Sequence, residues 1–181
     1  MLWNKKKDGV REAKRKDLDA INELRRQAHE MQTTGRPDIF QKPFSDALAQ
    51  QANRMLHDKN GMLFVYTREG TVCGFVYATA ENEPASSYWD SRAYCRVQEI
   101  CVDKSCRGEG IGTALMDAVR AQAKERGCPK LELQVWSFNS GACAFWVKQG
   151  FTPYMYCMEC IPESGNQENE NAEGDDRNTG V

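Results

Sequence analysis

The sequence has little histidine and no long apolar run. Only His29 and His57 are present among 181 residues, and no apolar segment approaches the roughly 20 residues that cross a bilayer. The N-terminal stretch MLWNKKKDGV has no apolar core after its lysines, so it does not resemble a secretory signal. We therefore expect a cytoplasmic protein with no membrane partner.

Charge is unevenly distributed along the chain. Residues 5–16 contain five lysines and two arginines, but no basic stripe follows, so nucleic acid is not an expected partner. Residues 163–181 contain six acidic residues and one arginine, and almost no apolar side chain that could offset the entropy of ordering. The sequence predicts a flexible basic N-terminus at 1–7, a folded domain at 8–161 and a disordered acidic tail at 162–181.

The eight cysteines do not indicate a disulfide framework. The chain is long, we expect no signal sequence, and most of the cysteines lie within strand or helix patterns, so we predict reduced thiols. Cys157 and Cys160 form a single C-x-x-C pair. A structural zinc site normally requires a second pair or histidine ligands, and both histidines are far away in sequence. We predict no metal site.

Apolar periodicity predicts alternating strands and helices. After a short first strand, helices are expected from Leu18, capped by Asp17, and over 45–57, capped by Ser45. A hairpin turning at Glu69 and Gly70 and a strand over YCRVQEICV come next. A helix from Ile111, a strand over KLELQVW, a helix capped by Asn139 and a last strand over FTPYMYCMECI complete the chain. This order predicts an α/β (α+β) fold with one mixed sheet flanked by helices.

Three glycines surround the predicted start of the helix at Ile111, two before it and one after it, in the segment RGEGIGT from Arg107 to Thr113. Glycine lets backbone N–H groups approach a ligand closely, and a helix N-terminus carries partial positive charge. Both properties favour a phosphate or pyrophosphate. The segment lacks the Lys-Ser/Thr of a P-loop, and its glycine spacing differs from the dinucleotide-binding fingerprint.

RGEGIG resembles the Arg/Gln-x-x-Gly-x-Gly/Ala signature of the GNAT superfamily, the acetyl-CoA-dependent N-acyltransferases. A second block, LELQVWSFNSGACAFWVKQGF, is similar to that family's strand, Asn and helix ending in Gly-Phe, and the element order agrees over 8–161. The resemblance implies a mostly antiparallel sheet whose splayed central strands hold the thioester of acetyl-CoA. It also implies transfer of an acetyl group to a primary amine of a small molecule or peptide, and it is compatible with a homodimer.

The resemblance further implies which residues bind the cofactor. The end of the central strand pairs with the pantetheine arm at Ile100, Cys101 and Val102. The pyrophosphate is bound by the loop and helix start at Arg107, Gly108, Glu109, Gly110, Ile111, Gly112 and Thr113. Asn139 either contacts the cofactor arm or only caps its helix. Trp146 stands where many relatives have a tyrosine, and it packs near the cofactor.

Acyl transfer to an amine requires a base, an oxyanion donor and a route for the thiolate. We expect Glu99 to be the base, with Glu132 as the second candidate. Glu99 alternatively only orders the sheet or pairs with Arg96. Because an indole is not a proton source, either Tyr154 or Tyr156 is the acid or the thiolate leaves unaided. Because Trp146 replaces the tyrosine and only one acid is present at Gln98 and Glu99, a non-catalytic acyl-CoA-binding regulatory or sensor protein is the alternative function.

The acceptor site is expected on the first two helices, their connection and the loop before the central strand. Acids together with aromatic residues in these segments would suit a cationic amine. Surface or core-covering roles are equally open for each candidate: His29, Asp38, Phe40, Tyr88, Trp89 and Asp90.

Overall fold

The computed structural model describes residues 8–162. Its strands are β1 (Gly9–Glu12), β2 (Gly61–Arg68), β3 (Thr71–Glu83), β4 (Arg92–Val102) and β5 (Leu131–Leu133). Its helices are α1 (Leu18–Gly35), α2 (Asp46–His57), α3 (Ile111–Glu125) and α4 (Ser140–Lys148). The predicted N-terminal segment, and all of the predicted tail except Pro162, lie outside the described residues.

The strands form one five-stranded sheet in the order β1-β2-β3-β4-β5. All neighbours are antiparallel except β4 and β5, which are parallel. Helices cover both faces, so β2 is buried on both sides and its sequence MLFV is continuously apolar. The mixed, mostly antiparallel fold predicted from the sequence is confirmed.

Two apolar clusters lie on opposite faces of the sheet. α1 and α2 pack on one face, against Leu63, Val65 and Phe75. α3 packs on the other, against Met62, Phe64 and Val76, and Trp146 of α4 joins it. Adjacent residues of β2 therefore belong to different clusters, as the two-residue period of a strand requires.

The β4–β5 pairing is short, and this creates the splay. Cys95, Arg96 and Val97 of β4 pair with Leu131, Glu132 and Leu133. Beyond Val97, the rest of β4 pairs, among the strands that the structure describes, only with β3 on its other side. One edge of β4 is thus open from Gln98 to Val102.

A β-bulge lies at the point where β4 loses its β5 partner. Tyr77 of β3 pairs with Glu99, whereas the next residue, Ala78, pairs with Val97, so Gln98 is the extra residue. A bulge interrupts the alternation of faces. Val97 consequently faces the α3 cluster, while Cys101 packs in the α1–α2 cluster and Glu99 contacts α1.

Local caps and turns explain why the helices and the hairpin were predictable. The Ser45 hydroxyl accepts a hydrogen bond from the N–H of Leu48 at 3.3 Å, at the predicted start of α2. The hairpin turns at Glu69 and Gly70, whose φ angles are +50° and +83°, as a type I′ turn requires. Asp17 precedes α1 as expected, although its carboxylate accepts from the N–H of Lys14 and from Arg11 rather than from the helix.

The predicted last strand is wrong. Within residues 8–162 no strand follows α4, and the segment from Phe151 to Ile161 is largely exposed and outside the sheet. β5 is also shorter than the strand predicted over 130–136, so it offers only a short edge for another strand. Side-chain contacts hold the segment instead, with Tyr154 donating to Glu132 and Glu159 pairing with Arg36.

Candidate active site

The glycine loop presents unpaired backbone donors at the start of α3. Gly108 and Gly110 have φ angles of +82° and +81°, the left-handed region that glycine adopts without strain. The N–H groups of residues 107–113 have no protein acceptor within the described part of the chain. These donors and the helix dipole point at the same place, so the loop suits an anionic group such as a pyrophosphate.

The third glycine has a different role from the first two. A Cβ added at Gly112 would lie 3.1 Å from the ring of Phe145 on α4, so this glycine allows α3 and α4 to approach. Cβ atoms added at Gly108 and Gly110 would meet no atom of residues 8–162 within 4 Å, so this side of the loop is open to a ligand.

Side chains fix the loop to the rest of the domain. Arg107 donates from Nε to the Val102 carbonyl at 3.1 Å, which ties the loop to the end of β4. Glu109 pairs with Arg68 of β2. The Thr113 hydroxyl accepts from Gln149 at 2.9 Å. The backbone donors are therefore held in place before any ligand binds.

The splay opens into a cleft of about 670 Å³. One wall is β4 from Val97 to Cys101, and the opposite wall is the chain from Leu133 to Trp136. α1, α2 and their connection close a third side. Of the predicted site residues, this cleft brings together Glu99, Ile100, Cys101, Asn139 and Trp146. The glycine loop is not part of its lining.

Glu99 is held by a buried arginine of α1. Arg25 donates from Nε to Oε2 at 2.8 Å and from Nη2 to Oε1 at 3.1 Å. The Arg25 side chain is 5% exposed and that of Glu99 is 34% exposed, so the carboxylate still reaches the cleft. The expected alternative partner, Arg96, instead donates to the Tyr94 hydroxyl.

Arg25 was missed by the sequence reasoning. It is fixed by α2, because its guanidinium also donates to the Leu48 carbonyl and to the Gln51 side chain. The available signal was helical spacing: residue 25 lies four positions after Ile21 and three before Ala28, on the apolar face of α1. A charged residue on that face requires a buried partner.

Glu132 and Tyr154 form a separate cluster. The Glu132 carboxylate is buried and accepts from Arg92, Lys130 and the Tyr154 hydroxyl at 2.9–3.0 Å. Burial raises the pKa of this carboxyl, but the hydrogen bonds from Lys130 and Tyr154 and the positive charges outweigh it, so the pKa is lowered. Neither residue lines the cleft, and the Tyr156 side chain is exposed. The cleft therefore contains neither the second candidate base nor the candidate acids.

Asn139, Trp146 and Cys101 each have a structural role at the cleft. Asn139 accepts from the N–H of Ala142 at 3.1 Å, so the cap is formed while the residue also lines the cleft. Trp146 packs edge-on against Phe145 and Phe151. The Cys101 thiol donates to the Leu24 carbonyl, and burial raises its pKa to about 11, which keeps it protonated near neutral pH.

The predicted acceptor residues divide into two groups. His29 and Phe40 line the cleft. Asp38 is outside it, exposed and paired with Arg36. The loop between β3 and β4 also lies away from the cleft, with Tyr88 and Trp89 exposed and packed on each other. Asp90, in the same loop, is exposed too.

Three further observations concern the described residues alone. No three side chains of the metal-ligating types His, Cys, Asp and Glu cluster there. None of the helices in this part is both long and apolar enough to cross a membrane. All eight cysteines lie within it and are unpaired.

The fold and the loop define the class of protein. The model of the acetyltransferase (GNAT) family matches residues 19–151, and the chain belongs to that family. The chain is 37% identical over 97 residues to the uncharacterized N-acetyltransferase MJ1207 of Methanocaldococcus jannaschii. That match covers 54% of this chain and only 41% of the relative, so the chain spans less than half of the relative's length.

Solved structures share the fold. A tetramutant of the BH1408 protein from Bacillus halodurans superposes with a TM-score of 0.80 at 24% identity, over 84% of this chain and 98% of that one. An aminoglycoside N-acetyltransferase, AAC(6')-Iy in complex with CoA, superposes with a TM-score of 0.64 at 17% identity, over 85% of this chain and 98% of that one. At these identities the similarity establishes the architecture.

Proposed function

We propose that the protein is an N-acetyltransferase that transfers an acetyl group from acetyl-CoA to a primary amine of a small molecule or peptide. The splay of β4 from β5 is the observation that carries the proposal. It leaves one backbone edge of β4 free, from Gln98 to Val102, beside a cleft. That edge leads directly to a loop of unpaired N–H donors. The proposal includes the cytoplasmic location expected from the sequence.

In this proposal acetyl-CoA binds along β4 and the glycine loop. The free edge at Ile100, Cys101 and Val102 would pair with the amides of the pantetheine arm. The loop residues Arg107–Thr113 would bind the pyrophosphate through backbone N–H groups, and Asn139 and Trp146 would contact the arm. The CoA complex of the aminoglycoside N-acetyltransferase supports this choice of ligand.

The chemistry is a direct transfer. The amine nitrogen attacks the thioester carbonyl carbon, the C–S bond breaks, and an amide and CoA thiolate are formed. We assign Glu99 as the base that receives the amine proton, directly or through water, with Arg25 as the positioning residue. The N–H groups at the open end of β4, near Val102, would stabilise the oxyanion. Since Tyr154 does not line the cleft, the thiolate would leave unaided and take its proton from solvent.

A non-catalytic acyl-CoA-binding protein is the second candidate. Trp146 stands at the position of the family's usual tyrosine, and the other candidate acids are outside the cleft. Both functions require CoA binding, but only the enzyme requires an amine-dependent reaction.

Amine-dependent release of CoA thiol distinguishes the two candidates. Acetyl-CoA would be incubated with the full chain and a thiol-reactive dye, across polyamines, aminoglycosides, amino acids and peptide N-termini. Protein-only controls are needed because Cys157 and Cys160 are exposed. We expect thiol release above these controls with at least one amine class. Release with none of them, together with CoA binding, would favour the non-catalytic protein.

A further inference from the structure

We infer that the acceptor is an amine on an aromatic or apolar skeleton that also carries a carboxylate, and not a polycation. This inference rests on the proposed acetyl transfer and concerns the acceptor side of the same cleft. Three observations support it: the scarcity of acidic groups in the lining, its aromatic wall and one arginine without an acidic partner.

The cleft lining contains almost no acidic side chains. Glu99 is the one carboxylate among the described residues that line it, and both of its oxygens accept from Arg25. The acids predicted to recognise a cationic amine, Asp38 and Asp90, are outside the lining. A polycation would have to give up hydration for each ammonium group without gaining a partner, which is costly. Of the two interpretations left open for Asp38 and Asp90, their exposed positions outside the lining favour the surface role.

Two sides of the cleft carry aromatic residues: the wall opposite β4 and the connection between α1 and α2. Phe40 packs edge-on against Trp136 with ring centroids 5.4 Å apart, and Trp136 stacks on Phe138 at 6.0 Å. The Trp136 and Phe138 residues are 38% and 36% exposed. They retain apolar surface that a ligand could cover, and Phe44 adds further aromatic lining. Such a wall suits an aromatic or apolar skeleton.

Arg54 is the charged residue of the cleft lining that has no ion-pair partner among the described residues. It lies on α2 one turn after Gln51, lines the cleft and is exposed. It forms no ion pair with any described residue. A guanidinium matches a carboxylate bidentately, which gives both affinity and orientation. The arginine therefore specifies an anionic group on the acceptor.

Matched amines test the inference. We would measure kcat/KM for L-phenylalanine, for 2-phenylethylamine, which has the same ring and amine but no carboxylate, and for spermidine. We expect L-phenylalanine to exceed 2-phenylethylamine by roughly tenfold or more, the size of one charge-assisted hydrogen bond, and spermidine to be the poorest. Arg54→Gln should remove most of this preference. Lys59→Gln, which removes the same charge just beyond α2 and outside the cleft, should retain it.

The outcomes separate this inference from the proposed function. Turnover of spermidine above both phenyl amines would overturn the inference while acetyl transfer itself stands. An undiminished carboxylate preference in Arg54→Gln would overturn the role of that residue. Failure of all amines, including those of the wider screen, would overturn the proposed function and the inference together.

Discussion

At the scale of single residues, the site depends on an ion pair that spans two elements. Glu99 could be proposed from the sequence because it lies three residues before the end of β4. Its partner could not be, because Arg25 and Glu99 are 74 positions apart. The packing of α1 on the sheet, together with the bulge at Gln98, is what brings them together.

Replacing Glu99 tests whether its carboxylate receives the proton. We expect Glu99→Gln to lower kcat by on the order of 10²–10⁴-fold with CoA affinity unchanged, and the loss to shrink at high pH, where more amine is neutral. Glu81→Gln, on β3 and outside the cleft, is the matched control. The measurement is the pH–rate profile on the best amine found.

Three results are distinguishable in that experiment. A rise in KM larger than the fall in kcat would mean that Glu99 orients the amine instead. Activity within about a factor of two of wild type across the pH range would remove it from the mechanism. A loss shared by Glu81→Gln would indicate a general effect on the sheet.

Gly110 tests the anion-binding loop. We expect Gly110→Asp to abolish CoA binding, because a carboxylate at the helix start repels a pyrophosphate. Gly127→Asp, just beyond the other end of α3, is the control variant. The φ of Gly127 is +72°, so an aspartate there meets the same backbone strain, and its Cβ side is also open among the described residues. Calorimetry should show lost CoA affinity only in Gly110→Asp. Equal affinity in both variants would refute the loop assignment.

At the scale of elements, the sequence predicts correctly the features that depend on interactions between residues close together in the chain. α2 and the hairpin could be predicted because Ser45 and the Glu69–Gly70 turn act within a few residues. The structure of the segment FTPYMYCMECI could not be predicted in this way, because a strand forms only where another strand offers an edge for pairing. β5 ends after Leu133, as the chain turns away to open the cleft, and the sequence KLELQVW does not reveal that.

Ser45 tests the cap of α2, the helix that fixes Arg25. Ser45→Ala should reduce the free energy of unfolding by about 1 kcal/mol, because the Leu48 N–H loses its acceptor. Asn53 is exposed in the middle of the same helix, and Asn53→Ala should change the free energy of unfolding much less. Chemical denaturation of both variants is the measurement. Equal stability of Ser45→Ala and wild type would show that the cap contributes nothing.

At the scale of the whole molecule, acid should destabilise the domain. The Arg11 guanidinium donates to both Asp17 oxygens at 2.7 and 2.8 Å and, with the N–H of Lys14, holds the pKa of that carboxyl below its ordinary value. A carboxyl whose pKa is lowered on folding stabilises the native state above its ordinary pKa of about 3.9. That contribution is lost as the pH falls through the lowered value.

Asp17→Asn should therefore destabilise the domain in a pH-dependent way. We expect a loss of about 1.5–3 kcal/mol at pH 7, the usual contribution of hydrogen bonds to a charged group. The difference from wild type should shrink below about pH 4. Denaturation midpoints at several pH values would measure it. A difference that stays constant down to the lowest pH at which both proteins fold would contradict the ion-pair explanation.

The central claim is that the cleft between β4 and β5 is a site of acetyl transfer. Mass spectrometry of the amine after incubation with acetyl-labelled acetyl-CoA tests this most directly, because thiol release alone could reflect hydrolysis. We predict that labelled acetyl appears on the amine nitrogen at a rate proportional to protein concentration. CoA binding in calorimetry with no labelled amine, across all amine classes, would contradict the claim and leave an acyl-CoA-binding protein.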